Sequence, residues 1–248
     1  MATREWDAAA YDALPLPHVA WGRRVIERMH LRGDEVVLDA GCGTGRDGAE
    51  LLRRYPHVRL VGIDGSSQMI ELARDRLTSD GLIDRVELIV ADLTEPLAIA
   101  PVDAVMSVAA FHWITDHPLL FANLAAVMKP GARLSSDCGG LGQLRHLDAA
   151  LRSVTGSGKQ DVEFAGIDET KRALTDAGFD IERVALRDDP LRIDDPALMD
   201  RYLAAVCLGG YLAALPPAGH ASFVSEVRRA MDAPVIDYVR LEITATRR

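Results

Sequence analysis

Val36-Val-Leu-Asp-Ala-Gly-Cys-Gly-Thr-Gly45 is the stretch that decides the fold of this 248-residue chain. A short apolar run ends in three alternate glycines, Gly41, Gly43 and Gly45, and a helical segment from Arg46 to Tyr55 follows at once. Glycines at such a turn accept positive φ and let a ligand approach the backbone, while the helix start offers unpaired N–H groups. The spacing is GxGxG, because Arg46 stands where the dinucleotide fingerprint needs its third glycine. No GK[ST] follows, which excludes a P-loop. Taken alone, the three glycines also fit an ordinary tight strand-to-helix turn.

Working outward, Val58 to Ile63 reads as a second strand and Val86 to Val90 as a third, with Met69, Ile70, Leu72, Ala73 and Leu77 at helical spacing between them. Each strand ends at an acid. Asp64 is placed to accept two hydrogen bonds from a ribose diol, or to cap the helix beside Ser66. Asp92, in Ala91-Asp92-Leu93, is placed for an adenine amino group, or is a solvated loop acid. Val102 to Val108 forms a fourth strand. Pro118 to Met128 forms a helix stopped by Lys129-Pro130-Gly131, and Ala132 to Asp137 a fifth strand. With a helix from His18 to His30 in front, this alternation means a parallel sheet covered on both faces.

Beyond Gly139 the pattern changes. Thr170 to Ala177 and Phe179 to Leu186 resume it, and Val235 to Ala245 closes it. Two helices, Asp195 to Leu215 and Ala218 to Met231, intervene. The expectation is one domain over residues 1–248, with a helical cap at about 190–232 and an N-terminal lid at about 1–30.

Composition bounds the function. With 48% hydrophobic and 26% charged residues, the chain can bury a substantial core and is neither disordered nor collagen-like. Its net charge of −9 repels long nucleic acids. No export signal is visible. The uncharged stretch from Tyr202 to Gly219 is broken by Gly209-Gly210 and Pro216-Pro217, so it reads as a buried cap helix and not a membrane span. Cys42, Cys138 and Cys207 are widely spaced, which points to reduced thiols in a cytoplasmic protein and offers no zinc ligand set.

Together, VVLDAGCGTG (36–45), VGIDGSSQMIELAR (61–74), ADL (91–93) and MKPGARL (128–134) resemble the class I S-adenosylmethionine-dependent methyltransferases. The resemblance implies an α/β, Rossmann-like, seven-stranded and mostly parallel sheet whose last strand runs antiparallel, with S-adenosylmethionine across the strand carboxyl ends. It places Gly41, Gly43 and Gly45 on the methionine part, Asp64 on the ribose, and Asp92 with Leu93 by the adenine. Asp39, Gly65, Met69 and Ser107 complete the implied cofactor set. Trp6-Asp7 with Tyr11, Phe111-His112-Trp113-Ile114 and Tyr238-Val-Arg240-Leu241 are similar to the small-molecule branch that includes trans-aconitate methyltransferase.

Methyl transfer from a sulfonium is an in-line displacement, so positioning supplies much of the rate. A carboxylate acceptor needs no base; a hydroxyl does. His112 is the candidate base or orienting donor, or else a histidine packed at a loop corner. Trp113 either walls the pocket or belongs to the core. Tyr11 and Trp21 would close the cavity. Arg240 and Arg201 are candidate carboxylate clamps, or surface ion pairs. Asp116 and His117 lack a third ligand, so no metal is expected, and Ser107 has no GxSxG setting. Tyr202 to Leu215 is apolar all round and would roof the acceptor cavity or form a homodimer interface. The expected activity is methyl transfer to a carboxylate or hydroxyl oxygen of an apolar or natural-product-like small molecule, with no nucleic-acid or membrane partner. The alternatives are S-adenosylmethionine binding with a non-methyl role such as cyclisation, or nicotinamide-dependent dehydrogenation, which the GxGxG spacing disfavours.

Overall fold

The computed structural model describes residues 18–158 and 164–248. Its strands are β1 (Val36–Ala40), β2 (Arg59–Asp64), β3 (Val86–Val90), β4 (Val102–Val108), β5 (Met128–Gly139), β6 (Phe179–Asp188), β7 (Leu191–Arg192), β8 (Val235–Ile236) and β9 (Val239–Arg247). Seven of them form one sheet in the order β3-β2-β1-β4-β5-β9-β6. All run parallel except β9, which enters antiparallel between β5 and β6. The order steps outward from β1 on both sides, so a ligand crevice opens at the carboxyl ends of β1 and β4.

Helices α1 (His18–Met29), α2 (Arg46–Arg54) and α3 (Ser67–Ser79) lie together on one face. Their apolar sides carry Val25, Ile26, Leu51, Leu52 and Leu77 onto Val37, Leu60 and Met106 of the strands. On the other face, α4 (His117–Ala126) brings Leu120, Phe121 and Leu124 against Leu38, Val105 and Leu134. Truncating a leucine such as Leu124, which has no exposed surface, to alanine would cost about 2–5 kcal/mol. Helix starts are fixed by side chains: Ser66 Oγ accepts from the Met69 N–H at 3.3 Å, and Asp116 Oδ1 from the Leu119 N–H at 2.9 Å. Such caps contribute about 1 kcal/mol each.

Past β5 come α5 (Arg145–Thr155), α6 (Ile167–Asp176), α7 (Pro196–Tyr202), α8 (Gly209–Ala213) and α9 (His220–Ala230). Helix α6 returns to the sheet beside α4 and β6, whereas α5, α7 and α9 build a second core with Trp21, Tyr202, Leu203 and Tyr238.

Three elements differ from the sequence expectation. Lys129-Pro130-Gly131 does not lie outside the fifth strand but bulges within β5, the register shifting between Val102↔Met128 and Ala104↔Arg133 while Gly131 sits at φ 81°. The single closing strand is split. Val235–Ile236 pairs with β7, and Asp237 interrupts because its carboxylate accepts the N–H groups of Arg145 and His146 at 2.9 and 3.3 Å. It thereby caps α5, whose own N-cap, Leu144, has no capping side-chain bond. The long cap helix is also interrupted. Leu203–Cys207 forms a π-helical turn, with the Leu208 N–H reaching the Leu203 carbonyl at 2.8 Å, and the short α8 that follows contributes no fully buried residue. Burial on every side therefore fails beyond Leu208. No helix of the described residues is long and apolar enough to cross a membrane.

Candidate functional site

The glycine loop leaves β1 in a conformation that dictates its sequence. Gly41, Gly43 and Gly45 have φ of 81°, 52° and 73°. A Cβ at Gly41 would overlap the Ala110 methyl, whereas at Gly43 it would meet open space, so there the left-handed backbone alone requires glycine. The Gly41 and Cys42 N–H groups bond the Ile63 carbonyl at 2.8 and 3.0 Å. Asp64, at the end of β2, finishes the arrangement. Its Oδ2 accepts from the Gly43 N–H and its Oδ1 from the Ser66 N–H, both at 2.9 Å. One carboxylate thus fixes the loop and the start of α3. Gly65 lies between these anchors, and Met69 packs inside α3.

Asp39 is buried beneath the loop, and its Oδ2 makes no hydrogen bond among the described residues. Burial first, and then the negative charges of Asp47 and Asp64, push its carboxyl well above the usual range. Burial likewise raises Asp47 to about 7. A buried carboxylate oxygen without a partner, glycines that expose backbone, and an acid at the end of β2 fit the ammonium, methionine and ribose parts of S-adenosylmethionine. At the end of β3, Asp92 Oδ1 accepts from the Thr94 N–H and hydroxyl at 2.8 and 2.7 Å, and Asn123 donates to the Leu93 carbonyl at 3.1 Å. Ser107 differs from the expectation of a cofactor contact. Its hydroxyl, fully buried, donates to the Ala40 carbonyl at 2.7 Å and ties β4 to β1 under the loop.

The other bank of the crevice is built from side chains. Ala109 follows β4 at φ 56°, a strained conformation for a residue with a Cβ, and its N–H bonds the Asp137 carbonyl at 2.8 Å. The turn Phe111–Trp113 then brings in His112, whose Nδ1 accepts the Gly139 N–H at 3.2 Å. The rings of Trp113 and Phe164 lie 5.0 and 6.0 Å from that imidazole. Arg240, 1% exposed, donates from Nε to Asp137 Oδ1 at 2.7 Å and from Nη2 to the Asp137 carbonyl at 3.1 Å. Its Nη1 reaches Gln143 Oε1 at 3.4 Å.

Trp21, expected to close the cavity, is itself closed in. It lies 3.6 Å from the Arg240 guanidinium, packs edge-on to Tyr238, and donates from Nε1 to Asp189 at 2.5 Å. Tyr202 and Tyr238 share a buried hydroxyl pair at 2.6 Å. His18 is held down to about 3, first by burial and then by Arg240 and Arg46, so it stays neutral at physiological pH. Tyr11 lies outside the described residues, and Arg201 is exposed on α7, away from Arg240's network. Asp137 and Gln143 were missed in the sequence. The signal was there: Ser135-Ser136-Asp137 is a polar run in a strand covered on both faces, and a buried acid requires a cation.

Comparisons with known proteins agree with this geometry. Residues 37–131 match the model of a methyltransferase domain. A malonyl-[acyl-carrier protein] O-methyltransferase from Methylovorus sp. (strain MP688) is 32% identical over 215 residues, 82% of this chain and 71% of that one. A trans-aconitate 2-methyltransferase from Azoarcus sp. (strain BH72) is 33% identical over 130 residues, 52% of this chain but only 49% of that one. Among solved structures, the YcgJ protein from Bacillus subtilis superposes with a TM-score of 0.69 at 17% identity, over 93% of this chain and 99% of that one. The glycine loop, the acids that flank it and these relatives place the chain in the class I S-adenosylmethionine-dependent methyltransferases.

Proposed function

We propose that this methyltransferase transfers its methyl group to the carboxylate oxygen of a small molecule with an apolar, natural-product-like body. The observation that carries this reading is the hydrogen bond from the Gly139 N–H to His112 Nδ1. A ring nitrogen that accepts a backbone N–H holds a lone pair, so the neutral imidazole carries its proton on Nε2. His112 then presents a donor. It cannot take up a proton at Nε2, and protonating Nδ1 would set two N–H groups against each other. An acceptor that arrives already ionised suits such a site; a hydroxyl awaiting a base does not. Trp113 and Phe164 beside the imidazole favour an apolar body.

In this reading Gly41, Gly43, Gly45 and Asp39 hold the methionine part, Asp64 the ribose, and Asp92 with Leu93 the adenine. The bound cofactor supplies the electrophilic methyl. The chain's own contribution is to aim the acceptor oxygen through the His112 Nε2–H and to exclude water under the second core. The helices over 196–230 act as the roof. Cys42, Cys138 and Cys207 are buried and form no disulfide among the described residues, which suits a cytoplasmic location.

The test is a pH profile on a panel of small carboxylic acids, using label on the cofactor methyl. With no base required, kcat/KM stays flat between about pH 6 and 9, and His112→Gln, which keeps an N–H donor, retains more activity than His112→Ala. A profile that rises near pH 7 and flattens in His112→Gln would make His112 a base and the acceptor a hydroxyl. Full activity of His112→Ala would remove the residue from the site.

A further inference from the structure

We propose that a groove on the opposite side of β5 from His112's turn, between α1 and β6, is an anion site for a phosphate-bearing ligand. Its volume is about 480 Å³, within the range of small-molecule sites. On this face β6 and β9 carry Arg183, Arg187 and Glu242, and α1 adds Arg24 and Arg28. Three guanidiniums converge on the one Glu242 carboxylate: Arg183 at 2.8 Å, Arg187 at 2.9 Å and Arg28 at 3.4 Å. Arg24 and Arg187 share Asp189, at 3.3 and 3.2 Å. Asp137, behind them, pairs with Arg240 at 2.7 Å and with Arg187 at 3.7 Å, so five guanidiniums meet three carboxylates; Glu27 at the rim pairs with Arg54 at 3.8 Å. An excess of about two positive charges in a chain of net charge −9 matches a phosphate dianion.

The arginines are also preorganised. The Ser136 carbonyl holds Arg28 at 3.1 Å, and the carboxylates fix the other three. Yet Arg24 Nε and Arg28 Nε are buried without hydrogen bonds among the described residues, and Arg187 Nη2 faces only Asp137 Oδ2, 3.7 Å away. Burial, with repulsion from Arg183 and Arg24, pulls Arg28 below its usual range although Glu242 and Asp137 oppose this. A tetrahedral dianion supplies acceptors in several directions and relieves that crowding, and guanidinium forks suit it better than ammonium groups would.

The test is calorimetric titration with pyrophosphate at fixed ionic strength, with S-adenosylhomocysteine saturating the cofactor site. Saturable binding is expected, weakened at least fivefold in Arg183→Gln and at least twentyfold in Arg24→Gln/Arg183→Gln. Glycerol phosphate binding more tightly than inorganic phosphate would support an organic phosphate as the natural ligand. Should the double variant misfold by circular dichroism, Arg183→Gln alone decides, since that side chain is half exposed. No saturable heat above a chloride control, or unchanged affinity in the variants, would overturn the assignment.

Discussion

The two banks of the crevice use different materials. From β1 to β3 the ligand side is made largely of backbone: three left-handed glycines, N–H groups at a helix start, and Asp64 bracing the loop. Across β4 and β5 it is made of side chains that hold one another or the next strand, Arg240 on Asp137 and His112 on the Gly139 N–H. A backbone site fits one constant ligand, because backbone geometry tolerates few substitutions. A side-chain site can be recut by single exchanges. Cofactor recognition is proposed for the first bank and acceptor recognition for the second.

Breaking the second bank should have the largest effect. Asp137 and Arg240 have almost no exposed surface, so Arg240→Met strips a buried carboxylate of its 2.7 Å partner, leaves it only Arg187 at 3.7 Å, and should cost about 3–5 kcal/mol in urea unfolding. Cofactor affinity, belonging to the other bank, should hardly change. Asp64→Ala is the reciprocal experiment. A hydrogen bond to a charged group is worth about 1.5–3 kcal/mol, so affinity for S-adenosylhomocysteine should fall roughly ten- to hundredfold by calorimetry. An unchanged affinity would separate the loop brace from the ribose contact.

Titration sharpens the contrast further. Asp47 is raised from the free-carboxyl range to about 7, so its protonated form favours the folded state. The associated stability is present below about pH 4 and is lost as pH rises through about 7. Asp47→Asn should therefore gain on the native chain across that window, by about 1–2 kcal/mol once solvent screening is allowed for. Equal pH dependence of the two melting curves would show that Arg46 fully compensates the acid. The smallest effect on stability, about 1 kcal/mol or less, is expected for Leu212→Asp on the half-buried α8. Lost turnover with an unchanged elution volume would assign α8 to the acceptor roof. A dimer that dissociates with turnover retained would assign it to an interface.

The first bank was legible in the sequence because its determinants are local. Glycines at fixed offsets and acids at successive strand ends occupy about sixty contiguous residues, and periodicity alone located β3 and β4. The second bank was legible only in part. Arg240 drew notice, but its partner Asp137 lies 103 residues away, and no periodicity joins them. Trp21 looked like a pocket wall because an indole near the N-terminus says nothing of Asp189, 168 residues on. The breaks in the cap and in the closing strand arise from tertiary needs: a π-turn at Leu203–Cys207, and Asp237 diverted to cap α5.

The antiparallel insertion of β9 bears on how the chain is made. Emerging from the ribosome after both of its neighbours, β9 leaves β5 and β6 without partners on their facing edges while residues 189–238 are synthesised. Unpaired edges of that kind recruit other strands, and nascent chains are exposed to this for seconds. Polar and charged side chains along the gap, Ser135, Ser136 and Asp137 on one rim and Arg183 and Arg187 on the other, would keep the unfinished sheet from pairing with a stranger. The same charges that occupy the groove in the finished protein would guard the opening until its last strand arrives.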